Sequence, residues 1–503
     1  MELDFLWLIL ALLLGGSVFA FAFLKRFNEW YYVGRLGKTK YPLPPGDMGY
    51  GRTGIYKTYM FGSPSVIVCI PETCRMVLTD DERFKLGYPK ATTILTGKDG
   101  PTFQSKQANA PSIFKISHKK SLFEFSRVLK LLFKVAGKRS FHGISNAEHK
   151  RLRKLTTSPI NGHKALAGYI DLIEGIVINS LEEWANMEQP IELLTELRKA
   201  AFKVITNIFI STHSESVSSS VENLYGDLNA GIKSQAINLP GFAFHRALKA
   251  RKKLVKVFQA ILDKKRAMNI KANSVQTEVK KDMMDLLLGV KNEDGRQLED
   301  EDIIDLLIVF MLAGHESSAH GALWAVIYLS QNPELFRKAK EEQQEIVKRR
   351  PPTQKGLNLT EIRQMGYLYK VIDETLRRTS ISFSLFRQAK EDVNLNGYLI
   401  PKGWKVLVWN RGVHMDPENY SNPKDFDPSR WDNYTPKAGS FLPFGAGSRY
   451  CPGSDLAKLE IAIFLHHFLL NYNVERLNPD CPVKWLPIAR PVDMCVARII
   501  KVA

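Results

Sequence analysis

Residues 444–453 read Phe-Gly-Ala-Gly-Ser-Arg-Tyr-Cys-Pro-Gly, and no other stretch constrains the fold as much. Glycines 445 and 447 before Cys451, and Gly453 after it, allow a tight loop whose backbone approaches a bulky planar ligand. An amphipathic stretch, 455–470, begins just beyond, so the thiol precedes a helix amino terminus. The positive end of that helix and the amides around the sulfur favour a thiolate over a thiol.

Apolar residues recur at three- and four-residue spacing over 164–184, 191–209, 244–268 and 299–330, which predicts helices. Residues 333–348 read as a charged, exposed helix with Pro333 near its start, and 359–378 as largely helical. Residues 292–295 read as a turn. Alternation around Asn396-Gly397 predicts a short hairpin over 393–401. No internal repeat is present. The expected fold is mainly α with small β-sheets. Inside the apolar 299–330 run, Ala313-Gly314-His315-Glu316-Ser317-Ser318 needs explaining. A glycine costs about 1 kcal/mol in a helix interior, and a buried carboxyl is expensive. Glu374 and Arg377, three apart, share a helix face, a pattern most often found as a solvated surface pair.

Residues 5–24 carry no charge and, as a helix, match the hydrocarbon thickness of a bilayer. Basic residues from Lys25 to Lys40 follow, which predicts a single-pass anchor with the rest of the chain cytosolic. A cleaved signal peptide, with Ala20-Phe21-Ala22 as its cleavage site, is the rival. Residues 25–49 form a basic, Pro-rich hinge, and 50–503 the catalytic body. The net charge is +18. Without nucleic-acid motifs or a basic low-complexity tail, that charge points to a membrane or an acidic protein partner, and to no nucleic acid. Five cysteines are too few for a disulfide scaffold, and Cys69 and Cys74 read as packing residues.

The 444–453 loop resembles F-G-x-G-x-R-x-C-x-G, the haem-binding loop of cytochromes P450, at every fixed position. The resemblance implies a cytochrome P450 fold behind an amino-terminal transmembrane helix. It implies haem b held by Cys451 as the axial iron ligand, with Phe444, Gly447, Arg449 and Gly453 around it and Arg449 on a propionate. It places 313–318 over the haem, where the helix opens locally and Glu316 and Ser317 relay protons. Glu374 and Arg377 then join Arg430, of Phe426-Asp427-Pro428-Ser429-Arg430-Trp431, in a buried ion-pair network. His149, standing where the family has Trp, Arg153 and Arg387 are further propionate partners. Leu312, Ser382, Phe383 and Leu385 border the substrate. Electrons come from NADPH through a membrane-bound flavoprotein reductase, and O2 is the oxidant. The location implied is the endoplasmic reticulum membrane.

Residues 42–49, 85–89, 313–318, 441–444 and 455–460 resemble plant ent-kaurenoic acid oxidases, which carry a diterpene acid in successive steps toward gibberellin GA12. Relatives that oxidise triterpenes such as β-amyrin share these stretches, and the diterpene acid is the favoured expectation. Two stretches depart from the family. A first helix is missing after residue 49, and residues 98–137, with eight Lys/Arg against two Asp/Glu, match nothing in it. A gene-model error, one exon skipped and one intron translated, explains both. A basic membrane-surface helix over 121–135 is the alternative for the second. A haem-dependent isomerase or dehydratase, or a catalytically dead membrane-bound relative, are the other functional readings. Retention of the Glu316-Ser317 pair argues against the isomerase.

Overall fold

The computed structural model describes residues 54–60, 63–88, 146–211, 215–234, 236–272, 282–290, 297–486 and 488–502, with Gly295 and scattered residues between 15 and 46. The expected anchor (apart from Gly15 and Gly16), the 98–137 segment and the first residues after 49 lie outside them. Two compact units form: Met1–Gly87 with Phe386–Val408, and Tyr88–Leu385 with Trp409–Ala503.

The first unit is built on a five-stranded sheet. Its elements are β1 (Ile55–Met60), β2 (Ser63–Val68), helix α1 (Pro71–Thr79), β3 (Phe84–Leu86), β4 (Leu385–Ala389), the hairpin strands β5 (Val393–Leu395) and β6 (Tyr398–Ile400), and β7 (Lys405–Val408). The sheet order is β1-β2-β7-β4-β3. β2 pairs in parallel with β7, Ser65 opposite Lys405, and β3 runs antiparallel to β4, Leu86 opposite Arg387. Asn396 and Gly397 turn the β5–β6 hairpin with φ of 50° and 84°, the left-handed pair that matches strand twist. The Pro-rich run at 41–46 is tied to this unit: the Pro42 carbonyl accepts from Leu399 and the Pro45 carbonyl from Lys57.

The second unit is mainly helical, with one three-stranded sheet (Ile191–Glu192, Val496–Lys501, Tyr472–Arg476) and one two-stranded sheet (Val483–Lys484, Arg490–Pro491). Its helices are α2 (Asn146–Asn161), α3 (His163–Ala185), α4 (Leu193–Ile210), α5 (Glu215–Ile232), α6 (Ala243–Ala272), α7 (Met283–Gly289), α8 (Asp300–Ser330), α9 (Pro333–Lys348), α10 (Leu359–Gln364), α11 (Gly366–Thr379), the short α12 (Asn410–His414) and α13 (Arg430–Asn433), and α14 (Ser454–Asn471). α8 is apolar all round and runs through the core, packed by α4, α6, α9, α11 and α14. Among the described residues it is the one helix long and apolar enough to cross a membrane, but most of that length is buried in the protein, as in a core helix.

Two predicted helices differ in detail. Residues 191–192 form a strand paired with 496–497, and the helix starts at Leu193. The helix expected over 359–378 is two. Met365 leaves helical geometry at φ −74° and ψ 54°. α10 opens with a reciprocal cap between Asn358 and Glu361, while α11 is capped from outside: the Glu342 carboxylate on α9 accepts the Tyr367 and Leu368 amides at 2.6 and 2.9 Å.

Candidate active site

The cysteine loop is closed on itself. The Cys451 amide donates to the Phe444 carbonyl at 2.9 Å. Gly445 and Gly447 adopt φ of 76° and 71°, a region costly for side-chain-bearing residues, and a Cβ on Gly445 would lie 3.2 Å from Leu385 Cδ1. Gly447–Arg449 makes one 3-10 turn, and α14 starts at Ser454. Burial pushes the Cys451 thiol up and outweighs the Gly453 amide and the nearby Arg153, which pull it down, so the loop by itself does not favour the thiolate that the helix amino terminus led one to expect. Arg153, on α2, donates to the Tyr450 carbonyl, and so touches the loop rather than standing apart from it. His149, one turn earlier, is buried.

α8 stays helical through Ala313–Ser318, so the expected local opening is absent. The backbone is nevertheless loaded there. His315 Nδ1, Ser317 Oγ, Ser318 Oγ and His320 Nδ1 each bond the carbonyl four residues back, at 2.6–3.1 Å. Such back-bonding weakens and bends helices. Gly314 lets α4 approach, since a Cβ would meet Ile205 Cδ1 at 2.9 Å, and Gly321 does the same for Ile461 of α14 at 2.5 Å. Ala313 is exposed in the midst of this core helix and Leu312 and Ser317 are half-buried, so this face borders open space.

Glu316 turns elsewhere. Its carboxylate accepts from Arg198 of α4 at 2.7 Å, Asn229 of α5 at 2.8 Å and Lys233 at 3.1 Å. Burial opposes ionisation, but Lys233, Arg198 and His320 outweigh it and bring the carboxyl down to about 2. In this conformation Glu316 is an ionised anchor for three helices, which removes it from the proton-donor role expected of it. The shift from 4.5 to about 2 corresponds to about 3 kcal/mol of stability, present above pH 4.5 and lost as pH falls toward 2. Glu316→Gln should therefore lower the urea midpoint at pH 7; an unchanged midpoint would refute the anchor.

Another carboxyl is poised oppositely. Glu460 on α14 is buried, and neither oxygen makes a hydrogen bond of ordinary geometry. Burial, eased slightly by the Ser318 hydroxyl, pushes it up to about 8, so it stays protonated at neutral pH. The signal for it was an acid in the apolar run Leu456–Leu470, which the pattern did not mark as functional.

Glu374 and Arg377 are fully buried and bonded twice, at 2.7 and 2.9 Å. Arg430 reaches Glu374 at 3.5 Å, and Trp431 Nε1 and the Asp427 amide donate to the same carboxylate at 3.1 Å. Arg377 also donates to the carbonyls of His414, Pro423 and Asp425, with the Tyr420 ring beneath it at 5.0 Å.

Two residues that no sequence pattern marked hold Leu442, just before the cysteine loop: His414, whose carbonyl also accepts from Arg377, and Asn410. His414 Nε2 accepts the Leu442 amide at 2.9 Å, so its Nδ1 carries the proton and faces Ser380 Oγ at 3.0 Å. Asn410 donates to the carbonyls of Ser382 and Leu442, fixing the 382–385 segment against the loop. Ser382, Phe383 and Leu385 are half-buried there, while the Ser384 hydroxyl is buried and meets no partner. Burial first, then Arg377 and Arg411, lowers His414 to about 3; burial likewise takes His466 to about 3 and His320 to about 4. A histidine held neutral penalises folding once pH drops below its free value near 6.5. At pH 5 each costs about 2 kcal/mol, and three together about 6. Urea midpoints should fall steeply between pH 7 and pH 5, and a flat profile would sink this assignment.

Arg387 belongs to the first unit. Its guanidinium is buried and held by the Leu78 carbonyl and by Asp81 at 3.2 Å. Arg449 is half-buried in the 3-10 turn.

A family model described as Cytochrome P450 matches residues 107–487. The chain is 52% identical to 7,8-epoxymelianol synthase CYP88A154 of Ailanthus altissima, over 100% of this chain and 98% of that one. That alignment runs to 530 residues, so the relative has stretches with no counterpart in these 503. Identity is 51% to ent-kaurenoic acid oxidase 2 of Arabidopsis thaliana (95% and 94% covered), and 47% to beta-amyrin 11-oxidase of Glycyrrhiza uralensis (100% of both). Among solved structures, retinoic acid bound cyanobacterial CYP120A1 superposes with a TM-score of 0.74, covering 92% of this chain and 100% of that one at 22% identity, a likeness of fold.

Proposed function

Because this chain belongs to the cytochrome P450 family and is a monooxygenase acting on terpenoids, we propose that it oxidises a neutral, oxygen-bearing triterpenoid, with Cys451 as the axial ligand. The observation that carries the ligand assignment is the closed 444–453 loop, which offers one half-buried sulfur beside the Gly453 amide and Arg153. The open face at Ala313 fits the same assignment by leaving room in an otherwise packed core. A haem iron under a thiolate supplies the O–O cleavage chemistry. Cys451 would hold it, with Phe444, Gly447 and Gly453 shaping the loop and Arg449, Arg153, His149 and Arg387 as candidate propionate partners.

The chain's own residues supply positioning and protons. Ser317 presents a hydroxyl on the open face, bonded back to Ala313 at 2.9 Å and able to swing outward to donate. Of the neighbouring carboxyls, Glu460 holds a proton at neutral pH, and Glu316 gains one only when Arg198 and Lys233 release it. Ser317→Ala should cut product formation about a hundredfold or more, the range of general-acid contributions, while haem content stays unchanged. Equal turnover in the variant would remove Ser317 from the reaction.

Substrate charge favours the triterpenoid. The candidate pocket residues Leu312, Ala313, Ser317, Ser382, Phe383 and Leu385 offer apolar surface and hydroxyls, and none is a cation that would neutralise a substrate carboxylate. The second reading, ent-kaurenoic acid, is favoured by the 51% identical Arabidopsis relative. Expressing the full chain with a plant flavoprotein reductase and feeding β-amyrin beside ent-kaurenoic acid separates them; conversion of the acid alone overturns the first reading. Reductase docking on a basic face would weaken as salt rises. A single-pass anchor at residues 5–24, in the endoplasmic reticulum membrane, should resist alkaline carbonate extraction.

A further inference from the structure

Near the carboxy terminus lies a cluster of sulfurs that the chemistry above leaves unused. The two-stranded sheet of Val483–Lys484 and Arg490–Pro491 continues one step past its ladder, where the Val492 amide donates to the Pro482 carbonyl at 2.9 Å. One residue further on, a thiol takes the place of the carbonyl: the Asp493 amide donates to Cys481 Sγ at 3.4 Å. The Asp493 carboxylate in turn accepts the Cys495 amide at 2.9 Å. Asp493 thus ties both cysteines to one turn, and Cys495 lies close enough to Cys481 to feel its charge. Both are thiols in the structure, Cys481 half-buried and Cys495 buried.

The turn is strained. Met494 and Cys495 adopt φ of 59° and 63°, two consecutive side-chain-bearing residues in the left-handed region. Such outliers persist where the surroundings over-determine them, and they concentrate in clamps and switches. Here α4 holds the turn: the Leu193 and Leu194 amides donate to the Cys495 and Met494 carbonyls, each at 3.0 Å. α4 has no side-chain cap, so the strained turn satisfies two amides that the helix itself leaves open.

The surroundings suit thiol chemistry rather than a metal ion. Arg490 donates to Met494 Sδ at 2.8 Å. Arg476 is near enough to Cys495 to pull its thiol down, and the buried Arg476 Nε has no acceptor of ordinary geometry among the described residues. Guanidinium groups oppose a bound cation and favour a sulfur anion. Burial outweighs Arg476 and pushes the Cys495 thiol up to about 11. The half-buried Cys481 is therefore the sulfur that a reagent meets first.

We propose that Cys481 and Cys495 are a redox-active pair that closes reversibly into a disulfide, and that closure reshapes the turn capping α4. The oxidant is a small disulfide of the glutathione class. The Cys481 thiolate attacks one of its sulfurs and releases a glutathione thiolate. The Cys495 thiolate then attacks Cys481 Sγ in the mixed disulfide and releases the second. The pair gives up two electrons and two protons, and one glutathione disulfide becomes two glutathione thiols. In a reducing compartment such a pair acts as a sensor rather than a permanent staple. α4 also carries Arg198, which holds Glu316 of α8 at 2.7 Å, so a shift in its first turn is passed toward α8. The inference is independent of the substrate and of the axial ligand.

The test uses the full holoenzyme in mildly alkaline buffer with reduced or with oxidised glutathione. Peptide mass spectrometry reads the linkage, and hydrogen exchange reads the peptide that contains Leu193 and Leu194. A Cys481–Cys495 linkage should form in oxidised glutathione and vanish on return to the reduced form. Exchange at Leu193 and Leu194 should rise several-fold in the oxidised protein, while α9 exchanges equally in both. Cys481→Ser should abolish both changes, and Cys495→Ser should stop at a glutathione adduct on Cys481, with haem content kept throughout. No linkage in the oxidised parent overturns the proposal. A lasting glutathione adduct on Cys481 of the parent, with Cys495 unmodified, overturns Cys495 as its partner. A linkage with unchanged exchange at Leu193 and Leu194 overturns the coupling to α4.

Discussion

Cys451→Ser should abolish product formation and remove the thiolate-type Soret band of the reduced, CO-treated protein, while leaving the fold of the loop in place. The separation is possible because the loop is closed by the backbone. The Cys451 amide, not its sulfur, bonds Phe444, and the left-handed geometry at residues 445 and 447 belongs to glycines that the change leaves alone. Serine preserves size and removes the soft, polarisable ligand on which electron donation to iron depends. Circular dichroism should be unchanged and turnover below detection. The same replacement at Cys481, a half-buried cysteine away from the loop, should alter neither. A Cys451→Ser protein that keeps the thiolate band would overturn the ligation.

Glu374→Gln should cost about 3–5 kcal/mol, the usual penalty for stranding a buried charge. Arg377 is fully buried, and its carboxylate partner would be gone; the three carbonyls it also bonds are dipoles and cannot replace a full negative charge. Trp431 and Arg430 would lose their shared acceptor in the same step. Against a total of roughly 5–15 kcal/mol, the expected result is poor recovery of folded holoprotein and a markedly lower urea midpoint. Replacing Glu374 and Arg377 together by leucine should recover part of that loss, because the fully buried Arg377 charge leaves with its partner; Arg430, left with carbonyl acceptors such as Ser421, keeps the recovery partial. A Glu374→Gln protein as stable as the parent would show that the cluster contributes little.

Element existence was readable wherever a single periodicity ran long enough. α3, α6, α8, α9 and α14 begin and end within a few residues of their apolar patterns. The break at Met365 was not readable, because what caps α11 is Glu342, more than twenty residues away on another helix. The start of α4 was hidden for the same reason: residues 191–192 are held extended by pairing with 496–497.

At the site, composition and spacing alone led to Cys451 and its glycines, because a loop of that kind depends on residue types at fixed local offsets. They also led to the odd polar stretch at 313–318 and to Glu374 and Arg377 as a pair on one helix face. Charge state and direction were decided elsewhere. Glu316 and Glu460 are both acids on apolar helices, indistinguishable as letters. One is ionised because Arg198 and Lys233 arrive from α4 and the end of α5, and the other is neutral because burial meets only the Ser318 hydroxyl and no cation among the described residues. His414 joins Leu442, just before the loop, to Arg377 of the ion-pair cluster, and Asn410 joins Leu442 to Ser382, through contacts spanning 28 to 37 positions, beyond any local pattern. Local chemistry is written in the order of residues; electrostatics depends on distance through space, and only the folded chain sets those distances.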